Sequence, residues 1–139
     1  MFSACCLVCG AVGVADRNTI LDARMTASTF PNILYYPYFG RLNGRRGNGA
    51  WSSQTASDRT DYLQVDMGAV HSVCGVATQG RRTGTEWTTS YKVHLSTDGV
   101  TWNSYKENNV EKVNRIANML FMAEMFVYGV HPKYLQPSM

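Results

Sequence analysis

The side chains able to do chemistry are easier to exclude from catalysis than to assign to it. The three histidines, His71, His94 and His131, stand far apart. None has a second ligand three or four residues on, so they do not read as a metal site. His94 alternates with apolar neighbours and reads as a solvated strand residue. The chain has no Gly-x-Ser-x-Gly elbow and no Ser-x-x-Lys. The segment 44–51, GRRGNGAW, has the glycine spacing of a phosphate loop but lacks the Lys and Ser/Thr that would follow. Asp58, Asp61, Asp66, Glu86 and Asp98 are scattered. The chain therefore reads as no enzyme, and its residues ask for neither metal nor cofactor.

Binding chemistry is better represented. Residues 30–50 mix prolines and glycines with aromatics and read as loop. Inside it Ile33, Leu34, Tyr35 and Tyr36 are consecutive and bulky, without a helical or strand period. Such residues are either packed beneath the loop or presented to a partner. Arginines cluster locally, as Arg41, Arg45 and Arg46 and again as Arg81 and Arg82. A guanidinium can grip phosphate, carboxylate or sugar hydroxyls, and a tyrosine offers an apolar body with a polar tip.

These residues need a scaffold, and 139 residues suffice for one domain. Hydrophobic content of 45% against 17% charged supports a buried core. A net charge of +3 is too mild and too dispersed for a nucleic-acid binder. Leu63, Val65 and Met67 alternate with Tyr62, Gln64 and Asp66, the mark of a half-buried strand. VCGVATQGRR (73–82) is a further strand that ends on a basic turn, and ILDARMTAST (20–29) opens as a first strand. Tyr91, Val93 and Leu95 alternate likewise, Asp98-Gly99 marks a hairpin turn, and Val100-Thr101-Trp102 would resume the strand. Short strands with turns between them predict an all-β sandwich or barrel. The last third differs: residues 110–132 are rich in helix formers, with Val113, Ile116, Ala117 and Leu120 at helical spacing. Gly129 and Pro132 would stop the helix so predicted.

Residues 4–15 form an uncharged apolar run ending Gly13-Val14-Ala15. It has the length of a secretory signal core and is too short to span a membrane, although a basic start is missing. The alternative is that residues 9–15 begin the domain. Of four cysteines, Cys5, Cys6 and Cys9 crowd this run, and their spacing is not that of a zinc site. Removal of residues 1–15 would leave Cys74 alone, as a buried inert thiol.

Five segments carry a resemblance: RLNGRRGNGAW (41–51), YLQVDMG (62–68), VCGVATQGRR (73–82), EWTTSYKVHLSTDGVTW (86–102) and EKV (111–113). In order and spacing they resemble the discoidin domain, also called the coagulation factor V/VIII type C domain. The resemblance implies a galactose-binding-domain-like jelly-roll β-sandwich over residues 16–113, extracellular and without catalytic activity. Such domains bind cell-surface glycan, anionic phospholipid, collagen or receptor ectodomains through loops at one end of the sandwich. On that pattern the ligand-binding residues would be Ile33, Leu34, Tyr35 and Tyr36 on one loop, and Arg81, Arg82 and Glu86 on its neighbour. Arg81 has a plainer alternative, in which it pairs with a nearby carboxylate and only fixes its loop. Trp51, Tyr62, Leu63, Val65, Val76, Trp87, Tyr91, Val93, Leu95 and Trp102 would pack, and Gln64 and Asp66 would hydrogen-bond within strand or turn.

The chain also departs from the pattern. The family usually ties its ends with two cysteines; Cys9 suits the first, and a C-terminal partner is absent. After Val113 the family's closing strands find no counterpart, so residues 114–139 read as a divergent tail. An incomplete sandwich is expected, with a helix in place of the last strands. The rival functions are an intracellular protein-interaction scaffold of the same fold and a truncated isoform without function.

Overall fold

The computed structural model describes residues 10–55, 60–81 and 84–115, together with the backbone of 124–127 and 134–138. Eleven short strands appear: β1 Gly10–Ala11, β2 Met25–Ala27, β3 Leu63–Asp66, β4 Val73–Ala77, β5 Ser90–Ser96, β6 Asn103–Ser104, β7 Lys106–Glu107, β8 Val110–Glu111, β9 Val113–Arg115, β10 Glu124–Val127 and β11 Tyr134–Ser138. One sheet runs β1-β10-β4 and a second runs β2-β3-β11-β5-β6, with β9 also paired to β5. A small hairpin, β7-β8, stands apart from both. All the pairings are antiparallel, and each sheet is an open ribbon with two edges. The architecture is an incomplete jelly-roll sandwich.

Period-two patterning decides which side chains go inside. Leu63, Val65 and Met67 are buried at 5%, 2% and 5% exposure, as their alternation predicts. Tyr91 and Val93 join them from β5, with Leu95 packed against the cluster. Burial also raises the pKa of the Tyr91 phenol, an effect that a hydrogen bond with Thr78 only partly offsets. The first strand is shorter than the sequence suggests. Asp22–Arg24 form a 3₁₀ turn and only Met25–Ala27 pair with β3.

Residues ahead of β2 belong to this core. Val14 and Ile20 are its most enclosed apolar side chains. Arg41, itself buried, donates from Nη1 to the Val14 carbonyl at 2.6 Å. Cys74 is exposed and disulfide-bonded, which corrects the expectation of a buried free thiol. The other three cysteines lie outside the described residues.

The turn at Asp98 forms, but the strand resumes later than expected. Asp98 Oδ1 accepts from the amides of Val100 and Thr101 at 2.8 Å and from the Ser96 hydroxyl at 2.8 Å. These hydrogen bonds, the Val100 amide foremost, hold the Asp98 carboxyl far below the usual range. Satisfying two amides from one side chain bends residues 97–102 into a loop, and pairing restarts only at Asn103 opposite Leu95.

The larger correction concerns the tail. Where the sequence predicts a helix over 110–132, the described residues are the strands β8, β9 and β10. β10 lies between β1 and β4, and β11 lies between β3 and β5. Helix propensity is worth a few tenths of a kcal/mol per residue, which two-sided strand pairing readily overrides. Pro137 is tolerated in β11 because pairing with β3 ends at Leu135, leaving β5 as its one neighbour. Residues 116–123 and 128–133 lie outside the described set.

Candidate functional site

Ser28 and Thr29 follow β2 and start the loop that carries the apolar run. The loop's shape follows from local signals. Asn32 caps a 3₁₀ turn, Ile33–Tyr35, its side chain accepting from the Leu34 amide at 3.0 Å. Pro37 opens a second turn, Pro37–Gly40, with its φ already suited to the first position. Between them Phe30, Tyr36, Tyr38 and Phe39 form an aromatic cluster with centroid separations of 4.8–5.9 Å. Arg46 covers it, 5.2 Å from the Tyr38 centroid and 5.5 Å from that of Phe39.

This arrangement divides the consecutive residues Ile33 to Tyr36. Ile33 is 68% exposed and Leu34 48%. Tyr36 turns inward as a strut of the cluster, stacked on Tyr38. Tyr35 turns the other way and meets Arg81, whose guanidinium lies 5.7 Å from its ring centroid. The loop is also held from outside: the Asn48 amide donates to the Leu34 carbonyl at 3.0 Å. Gly47, at φ +54°, has no room for a side chain, because a Cβ would land on the Phe39 ring and 2.6 Å from the Leu34 carbonyl.

The loop's far end rests on Asp22. Arg41 and Arg46 bind its two oxygens at 2.9 and 2.6 Å. Partial burial raises the Asp22 pKa, but the bonds from Arg46 and then Arg41 outweigh it and hold the carboxyl below its ordinary value.

The second loop is simpler. Arg81 Nη1 donates to both Glu86 oxygens, at 2.9 and 3.0 Å, and its amide donates to the Glu86 carbonyl at 3.2 Å. The plainer alternative for Arg81, pairing with a neighbouring carboxylate, is thus present in the structure. Its Nε is buried without a partner. A Cβ at Gly84 would meet the Glu86 carboxylate, the free end of a flexible and exposed side chain that can swing aside. Tyr35, Arg81 and Glu86 are therefore brought together, Ile33 and Leu34 project beside them, Tyr36 does not join them, and Arg82 lies outside the described residues.

Trp87 corrects the packing expectation: it is 47% exposed, next to Glu86. Its position in a Gly-containing loop ahead of β5, outside any alternating run, is the signal that could have shown it. Tyr62 and Trp102 are half-buried. Asp66 acts as a turn residue, Oδ1 accepting from the Gly68 amide at 2.8 Å.

Comparison with known proteins places the chain in a family. The model of the F5/8 type C domain matches residues 24–121. Lactadherin of Rattus norvegicus is 38% identical over 105 residues, 70% of this chain and 24% of its own length. The EGF-like repeat and discoidin I-like domain-containing protein 3 of Mus musculus is 36% identical over 138 residues, 91% of this chain and 28% of its own length. The chain thus spans about a quarter of the curated relatives it matches. Among solved structures, recombinant discoidin II of Dictyostelium discoideum superposes with a TM-score of 0.68 at 20% identity, over 82% of this chain and 48% of that one. CBM32-3 from a family 31 glycoside hydrolase of Clostridium perfringens gives 0.56 at 19% identity, over 89% and 83%. The family model matches well over half of the chain, and the chain belongs to the F5/8 type C domain family.

Proposed function

We propose that this chain is a non-catalytic extracellular adhesion module that binds cell-surface glycan or anionic phospholipid through its two neighbouring loops. The observation that carries the reading is the outward pair Ile33 and Leu34, 68% and 48% exposed on a loop whose rings Phe30, Tyr36, Tyr38 and Phe39 are packed together. Bulky apolar residues held outward by a built base are suited to a partner. Beside them Tyr35, Arg81 and Glu86 supply an aromatic face, a cation and an acceptor. That set can receive a sugar ring with its hydroxyls, or a headgroup above inserted apolar side chains. Arg82, next to Arg81 in sequence, is assigned the same role. The disulfide at Cys74 favours an oxidising compartment over the cytoplasmic scaffold reading.

The test presents the chain to phosphatidylserine vesicles, to phosphatidylcholine vesicles and to an array of cell-surface glycans. Binding to the anionic vesicles or to a defined glycan is expected. Replacing Ile33 and Leu34 together by Ser should weaken that binding about tenfold or more, with the fold intact by circular dichroism. Absence of binding to every surface, or equal binding by the double variant, overturns the reading.

A further inference from the structure

Asp61 lies at the other side of the first loop, just ahead of β3, and is 3% exposed. Its Oδ1 accepts two short hydrogen bonds, from Ser28 Oγ and Thr29 Oγ1, each at 2.6 Å. Its Oδ2 is buried and has no partner. A hydroxyl has one proton to give, and both of these give it to the carboxylate. The oxygen of each is then left to accept: Ser28 Oγ from the Tyr62 amide at 2.9 Å, Thr29 Oγ1 from the Gln54 amide at 3.0 Å. Trp51 Nε1 adds a bond to the Thr29 carbonyl at 2.9 Å, and the Ser28 amide donates to the Tyr62 carbonyl at 3.0 Å. Two stretches, residues 51–54 and 61–62, thus converge on the two residues that immediately precede Phe30.

Such convergence is more than the end of a three-residue strand needs. A buried carboxylate oxygen without a partner carries the cost of its lost hydration uncompensated. Replacing this constellation by apolar residues would remove that cost, so its presence asks for a reason beyond stability. The direction in which the chain leaves β2 decides where Ile33 and Leu34 project. Among the described residues, Asp61 is the group that accepts from both hydroxyls, fixing their orientation and through them the exit.

We propose that Asp61 is a positioning residue for the ligand loop, a buried latch that sets the geometry of Ile33 to Tyr35 without touching a ligand. The proposal rests on the reading that this loop is the binding site, and its test separates the two. In the full chain, Asp61→Ala should speed amide hydrogen exchange about tenfold at Leu34, Tyr35 and Asn48, with Val65 and Leu95 unchanged. Asp61→Asn keeps an acceptor for both hydroxyls and should leave the loop's exchange near wild type. If Asp61→Ala does not fold, Thr29→Val, which removes one donor and leaves the carboxylate, gives the same readout. Unchanged exchange in the loop, or an equal rise throughout the protein, overturns the latch. Binding of the same variants to phosphatidylserine vesicles and to the glycan array is measured in parallel and should fall with loop protection. Faster loop exchange with unaltered binding would support the latch and refute the loop as the ligand site.

Discussion

The two loops that meet at Tyr35 are built on different plans. The first is fixed at each end by a carboxylate, Asp61 at Ser28 and Thr29 and Asp22 at Arg41 and Arg46, with four aromatic rings packed between. Among the described residues the second is closed by the Arg81–Glu86 ion pair, whose acidic partner is 67% exposed, and by one backbone hydrogen bond between the same two residues. Exposed pairs of that kind contribute about 0–1 kcal/mol and are screened by salt. The difference suggests a division of labour: a rigid platform that presents apolar side chains, beside an adjustable arm that holds a cation in reserve.

The contrast breaks most easily at Gly47. Gly47→Ala forces a side chain into the left-handed region and against Phe39 and the Leu34 carbonyl. We expect a loss of about 3 kcal/mol and a fall of roughly 10 °C in the unfolding midpoint, measured by calorimetry. Next comes Arg41→Met, which removes a buried cation from the Val14 carbonyl and from Asp22. A loss of about 2–3 kcal/mol is expected, since Arg46 still neutralises Asp22.

Acid should loosen the platform at Asp22. Because the Asp22 carboxyl is held below its ordinary 3.8, its contribution is complete above that value and is lost as pH falls through the lowered one. The protection of the Asn48 amide relative to its intrinsic exchange rate should therefore fall as pH drops below about 4, and Asp22→Asn should flatten that profile. The smallest effect is expected in the arm. Glu86→Gln should move the unfolding midpoint by less than about 2 °C. It releases Arg81, so binding to phosphatidylserine vesicles should tighten by about two- to fivefold at low salt. A large loss of stability in this variant would erase the distinction between the loops.

What the sequence reveals about this molecule depends on how far apart the deciding residues lie. Leu63, Val65 and Met67 announce their burial because each strand position is coded by its neighbours two residues away. Asp98 announces its turn for the same reason. The tail misleads because Met, Ala, Leu and Glu favour a helix locally, whereas its pairing partners are β1, β3, β4 and β5. Within the site, the run from Ile33 to Tyr36 is visible in the sequence. Its division is not, because Tyr35 and Tyr36 are the same residue type and only the turn before Pro37 sends them apart. Asp61 was invisible for a further reason: its partners lie more than thirty residues upstream, at Ser28 and Thr29.

The place of β10 and β11 has a kinetic side. Each is an inner strand of its sheet, and both come from the end of the chain. During synthesis, at about 5–20 residues per second, β1 and β4 emerge with nothing between them, as do β3 and β5. Gly10 finds its partner only when Val127 has been made. Pairings so distant in sequence form late and slowly. The nascent chain must therefore carry unpaired inner edges until β10 and β11 have emerged, an interval in which a holding chaperone, and not intrinsic stability, would decide the yield of folded protein.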